Sequence, residues 1–237
     1  MLRNLFETKN FLYPDLPPKQ RFLKILETHV LPELEKDGFV FIKSGPSLKR
    51  KEGRFEWIVE FQASKWNHKN EVCKYNPYFK VTNLDYKEYS KANKYESYKN
   101  GIVGTTAGIQ HWNKSSFSTD GSTAYFLEDN DFSKHDNNKL IKEMIQNIRA
   151  VGIPYFKMMS DFNSIKQFYL NNEQRIYAPQ LIDLCYALNR SDQLKSIFEW
   201  YYADNENCAE WLEYEMKIRK NSWLQHTFGA MGDDIQK

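Results

Sequence analysis

From Phe55 to Ala63 every odd position is apolar (Phe55, Trp57, Val59, Phe61, Ala63), and the even positions hold Glu56, Ile58, Glu60 and Gln62. Side chains that alternate with a period of two belong to an antiparallel strand with one face in a core and one in water. A helix does not fit the pattern, because its apolar stripe recurs every three or four residues. The segment commits the chain to an antiparallel sheet, and a meander of neighbouring strands is the simplest way to pair it.

The flanking sequence predicts the partners. Pro14 and Pro17-Pro18 punctuate the start, and a helix is expected over 19–36 with Phe22, Leu23, Ile25, Leu26, Val30 and Leu34 as its apolar stripe. Pro32 removes a helical hydrogen bond, so a kink or two abutting helices are expected near Val30–Leu31, and Gly38 supplies the C-terminal stop. Strand one is expected over Phe39–Ser44, ended by Gly45-Pro46. Lys49-Arg50-Lys51-Glu52-Gly53 reads as a turn, strand two covers Arg54–Lys65, Trp66–Pro77 is turn-like, and strand three covers Tyr78–Tyr86. Residues 87–121 hold few aliphatics and read as the least structured part, with one further strand near Ile109–Trp112; Ser122–Leu127 reads as the last strand.

From there helical signals take over. Ser133 or Asp136 can cap a helix striped by Leu140, Ile141, Met144, Ile145 and Ile148 and stopped by Gly152 and Pro154. Further helices are expected over 161–171 (capped by Asp161), 178–189, 191–203 (capped by Ser191) and 206–220 (capped by Asn205). The fold class is therefore α+β: an antiparallel meander packed against an N-terminal helix, then a C-terminal helical region. The expected organisation is an α+β domain over 1–160, a helical subdomain packed on it over 161–220, and a tail over 221–237.

Aromatics make up 16% of the 237 residues, enough for a core rich in Phe, Tyr and Trp without disulfide staples. The three cysteines, Cys73, Cys185 and Cys208, are odd in number and widely spaced, which points to a reducing compartment and a cytoplasmic protein. No apolar run of membrane-spanning or signal length occurs. Net charge is only +2, yet residues 36–99 carry 14 Lys/Arg against 8 Asp/Glu, so the sheet-forming part is basic and the rest acidic.

Motifs that name a reaction are missing. There is no phosphate loop, dinucleotide fingerprint, nucleophile elbow or zinc-binding helix. Glu128, Asp129, Asp131, His135 and Asp136 form the nearest approach to a metal site, but as a calcium loop they place Lys134 where glycine is needed and Leu140 where a bidentate Glu is needed. Capping and the helix dipole already explain acids before a helix. His68 and Cys73 share a predicted loop without a third, orienting group. No catalytic, cofactor or metal residue is assigned and no cofactor is expected; a non-enzymatic protein is the favoured reading.

What is left is a polar surface at the sheet margin. Lys49, Arg50, Lys51 and Arg54 stand at one end, and Lys65, Trp66 and Lys69 at the other. Cations among aromatics suit a protein partner, where Trp, Tyr and Arg dominate binding energy. They also suit nucleic acid, which the basic aromatic region 49–99 would contact through phosphate and base stacking. The bland alternative is a solvated strand end with Trp66 folded over the core.

The order of Leu31-Pro32, Asp37-Gly38-Phe39, Lys49-Arg50-Lys51, Phe55, Phe61-Gln62-Ala63-Ser64-Lys65-Trp66, Phe79-Lys80-Val81-Thr82-Asn83-Leu84 and Ile153-Pro154-Tyr155-Phe156 resembles the bacterial domain-of-unknown-function family 4304, over about residues 19–160. The resemblance implies an α+β domain with an antiparallel sheet and no established activity, and it brings no catalytic residues. Domains of that kind are suspected of neutralising toxins, so the functional expectation is a protein-interaction module, immunity-like in its narrowest form, with nucleic-acid binding as the alternative.

Overall fold

The computed structural model describes residues 9–69, 71–92, 100–106, 108–109, 130–171 and 178–202. Helix α1 (Pro18–Ile25) runs into a π turn (Leu26–Val30), helix α2 (Leu31–Leu34) and a 3-10 turn (Glu35–Asp37), so Pro32 deforms the helix one turn upstream of itself as expected. Gly38 closes it with φ +81, a left-handed conformation that glycine adopts without strain. Strands β1 (Val40–Ile42), β2 (Ser47–Glu52), β3 (Phe55–Ala63), β4 (Tyr75–Asn83) and β5 (Ile102–Thr105) follow in one sheet of order β1-β2-β3-β4-β5, and every neighbouring pair is antiparallel. The α+β class and the meander are as the alternation of β3 requires.

β2 corrects the turn read over Lys49–Gly53: only Gly53 and Arg54 turn, and Ser47–Glu52 pairs with β3 from Ser47↔Glu60 to Glu52↔Phe55. The strand escaped the hydrophobic pattern because its inward positions are Leu48 and Arg50. The Arg50 guanidinium lies 4.5 Å from the Trp57 ring centroid and covers it where an apolar residue would be expected. Strand three is also shifted. β4 ends at Asn83, whose side-chain oxygen accepts from the Tyr86 amide at 2.8 Å and so caps helix α3 (Leu84–Ala92) inside a stretch read as strand and loop. A strand lies at Ile102–Thr105; of the strand expected over 109–112, Ile109 is helical and buried, and 110–112 fall outside the described residues. The expected strand over 122–127 and helix over 206–220 fall outside the described residues.

Helix α4 (Asn137–Asn147) is capped by Asp136, whose carboxylate accepts from the Lys139 amide at 2.8 Å. Gly152 does not stop it. The chain continues through a second π turn (Ile148–Gly152) into α5 (Ile153–Met158), a repeat of the π turn, X-Pro, helix arrangement at Leu31-Pro32. Helices α6 (Phe162–Asn171), α7 (Ala178–Ala187) and α8 (Leu194–Tyr202) follow. Asp161 caps α6 as expected, its carboxylate accepting from the Ser164 amide at 2.8 Å. Ser191 opens a 3-10 turn before α8 instead of capping it.

Leu48, Trp57, Val59, Phe61, Tyr75, Phe79 and Val81 face the helices and are buried. Phe22 of α1 stacks on Tyr75 at 4.0 Å between centroids, and Phe156 of α5 packs on Trp57 at 5.5 Å. The C-terminal helices share this core: the Tyr169 hydroxyl donates to the Val103 carbonyl at 2.7 Å and Gln180 donates to that of Ile102, so side chains satisfy the exposed edge of β5. Among the described residues no helix is long and apolar enough to cross a membrane.

Gly152 has ordinary helical dihedrals, φ −60 and ψ −53, and is required for space: a Cβ there would lie 2.7 Å from the Phe79 ring. Alanine in an unobstructed helix stabilises by about 1 kcal/mol relative to glycine. Gly152→Ala is predicted to do the opposite, lowering the unfolding free energy in urea by about 1–3 kcal/mol through overpacking.

Candidate functional site

β3 and β4 are joined by residues 64–74, and Ser64, Asn67, His68, Val72 and Lys74 of this connection are hydrogen-bonded to one another. The Ser64 amide donates to the Lys74 carbonyl (3.1 Å) and the Asn67 amide to that of Ser64 (3.2 Å); His68 and Val72 form a two-residue bridge. The Asn67 side chain clamps the base, its Nδ2 donating to the Lys74 carbonyl (2.9 Å) and its Oδ1 accepting from the Lys74 amide (2.7 Å). Ser64 Oγ accepts from the Trp66 amide at 3.2 Å. A short polar turn thus fixes the backbone on which Trp66 stands.

The Trp66 side chain is not folded over the core. The residue is 70% exposed, and the Lys65 ammonium lies 5.0 Å from its ring centroid. An indole left in water forgoes the burial free energy that aromatics normally contribute. Lys69 stands in the same loop, and among the described residues neither it nor Lys65 forms an ion pair.

The loop is anchored from below by a buried polar cluster. Asp131, wholly buried, accepts from the amides of Cys73 and Ser133, both at 3.0 Å, while the Phe132 amide donates to the Cys73 carbonyl at 2.9 Å. Arg21, 3% exposed, donates to the carbonyls of Leu12 (2.8 Å) and Phe132 (2.7 Å) and to Asn137 Oδ1 (3.1 Å), tying the N-terminal helix to the same corner. Burial pulls the Arg21 guanidinium below its ordinary pKa, against the opposing pull of Cys73 and Asp131. Burial pushes the Cys73 thiol up to about 11. The thiol donates to the Pro18 carbonyl at 3.7 Å, so Cys73 is a protonated packing residue and His68 has no nucleophile to activate. Of the acidic cluster, Asp131 and Asp136 are engaged in these backbone bonds; Glu128 and Asp129 lie outside the described residues. No group of three or more His, Cys, Asp or Glu is placed to hold a metal among the described residues.

The remaining predicted residues are elsewhere. Lys49 and Lys51 lie on the outer face of β2, and Lys51 is paired in register with Glu56. Arg50 turns inward, its guanidinium donating to the Asp37 carbonyl (2.8 Å) and to Glu52 (2.6 Å). Arg54, in the β2–β3 turn, is held by Asp85 (2.7 Å) and Glu88 (3.3 Å), and the Asp85 hydrogen bond raises its pKa. Register places Lys51 opposite Glu56, seven residues from Ala63 along β3, about 23 Å from the Trp66 loop. The seven residues therefore divide into two places: Lys65, Trp66 and Lys69 share one loop, whereas Arg50, Lys51 and Arg54 lie beside carboxylates towards the far end and Lys49 stands opposite Ile58.

No family model, no curated protein and no solved structure matches the chain.

The Cys73 shift fixes a sign for stability against pH. The unfolded thiol ionises near 9 and the folded one near 11, so its contribution is complete below 9 and is lost as pH rises towards 11. In urea titrations between pH 8 and 11, Cys73→Ala is expected to flatten the decline in unfolding free energy relative to the unsubstituted chain.

Proposed function

We propose that the protein is a non-enzymatic, cytosolic protein-interaction module that docks its partner on the loop 64–74, with Trp66 as the anchor. The observation that carries this reading is a tryptophan 70% exposed on a backbone held by its own hydrogen bonds. Exposed indoles on pre-organised loops suit hot spots, because little conformational entropy is lost when they enter a partner's pocket.

The charge layout favours a protein over nucleic acid. A phosphate-binding surface needs a continuous field of cations. Here Arg50, Arg54 and Lys80 are each paired with carboxylates, those of Glu52, Asp85 with Glu88, and Glu60, and Glu56 stands beside Lys51 on the outer face. A toxin-neutralising role is the narrowest form of the proposal, and it rests on the resemblance to family 4304, whose motif residues lie mainly in the scaffold around β1, β3 and β4.

The test is affinity capture at native expression level with proteomic and nucleic-acid readouts in parallel. Trp66→Ala is predicted to lose the captured protein while changing the unfolding free energy by less than about 0.5 kcal/mol, as for a surface substitution. Capture that survives Trp66→Ala counts against the anchor. Recovery of nucleic acid alone, released steeply by salt, would replace a protein partner with the alternative.

A further inference from the structure

A second surface, remote from the 64–74 connection in sequence and built on helices, has the features of a small-molecule site. The helical segments that begin with α1 and with α4 run in the same direction: Arg21 bonds Asn137 near their starts and, further along, Arg149 of the second π turn bonds the Glu33 carbonyl of α2, and both pairs are separated by 116 residues. Between the two helical segments lies a groove of about 670 Å³. That volume is in the range of about 300–1,000 Å³ typical of ligand pockets.

Its parts can be placed by this constant offset. Ile141 and Ile145, 6% and 8% exposed, form an apolar floor. At the Glu33 end the ionised groups are mutually satisfied: Arg149 bonds Asp37 (2.7 Å) and approaches the Glu33 carboxylate (3.5 Å), which also accepts from Lys36 (2.6 Å). Lys142 forms no ion pair among the described residues. The offset sets His29 level with Ile145, three residues and about 4.5 Å along the axis from Lys142. His29 lines the groove from the facing π turn, with its Nε2 3.3 Å from the Tyr13 hydroxyl.

We propose that this groove binds a small amphipathic carboxylate, its anionic head at Lys142 and His29 and its apolar body on Ile141 and Ile145. An uncompensated cation beside an apolar floor, with the other end closed by paired charges, matches one negative head and one hydrocarbon tail. A docked helix fits less well. The facing wall extends only from His29 to Glu33, about 6 Å, whereas helix-in-groove recognition uses anchors spaced over two turns or more.

Decanoate, used below its micelle-forming concentration, is the probe, with decylammonium as the charge-reversed control, and both are titrated into the isotopically labelled full chain. Decanoate is expected to produce saturable amide shifts at residues 29, 141, 142 and 145, and decylammonium none. Lys142→Glu is expected to weaken decanoate binding about tenfold, and Lys142→Arg to retain it. Three results would overturn the proposal: no saturable shift at these amides, equal shifts from the two probes, or decanoate binding unchanged by Lys142→Glu. Shifts produced by an acidic amphipathic helical peptide but not by decanoate would likewise replace it with a protein-docking groove. These outcomes are independent of whether Trp66 anchors a partner.

Discussion

Trp57 is the contact on which the rest of the structure depends. It occupies the inward face of the central strand, 1% exposed, and receives one constraint from each layer. Arg50 of β2 covers its ring, Phe156 of α5 packs against it, and its Nε1 donates to Ser160 Oγ at 2.7 Å beyond the end of α5. Ser160 Oγ in turn donates to the Phe156 carbonyl at 2.7 Å, so the same short segment supplies both the apolar and the polar partner of the indole. Because successive strand residues face opposite sides, a one-residue slip of β3 would put Trp57 in water and Glu56 or Ile58 in its place. The register of β3 against β2 and β4 is fixed by that cost more than by any single hydrogen bond.

This frame determines where polar groups can stand. With the inward face of the sheet filled by aromatics and, over Trp57, by Arg50, the other charged side chains of the strands stand on the outer face, in the turns and at the strand ends. There several of them find an opposite charge, as Arg54 does with Asp85 and Glu88 and Lys80 with Glu60. Exposed pairs of this kind add little stability, typically under about 1 kcal/mol each. Their consequence is for recognition, since they remove the continuous positive field that the basic count of residues 36–99 suggests. The Trp66 loop presents an indole and two lysines that, among the described residues, have no carboxylate paired to them.

Much of the scaffold was legible in the sequence, for identifiable reasons. The period-two run at Phe55–Ala63, the Pro32 kink, the Gly38 stop and the Asp136 and Asp161 caps each depend on local chemistry that sequence displays directly. β2 was hidden because an arginine does the work of a core residue, and α3 because its Asn83 cap follows a strand with no intervening turn. Gly152-Ile153-Pro154 read as a stop because the glycine's role, close approach to Phe79, depends on a residue more than seventy positions away. The two ends of the candidate site were legible, because strand direction alone separates Lys49, Arg50, Lys51 and Arg54 from Lys65, Trp66 and Lys69; the carboxylates beside Arg50 and Arg54 and the exposure of Trp66 were not, since both depend on tertiary packing. The Ile141–Ile145 groove gave no sequence signal, since its two isoleucines are indistinguishable from any buried helical stripe.

Recognition through a pre-organised tryptophan requires that the loop be as well held as the sheet that carries it. Amide hydrogen exchange resolved to single residues tests this most directly. The account predicts that the amides of Ser64, His68, Val72 and Lys74, all hydrogen-bonded within the loop, exchange with protection comparable to that of neighbouring β3 and β4 amides. Exchange of these four amides at the rate of an unstructured chain would contradict it, because Trp66 would then stand on a backbone that has to be ordered anew at every encounter.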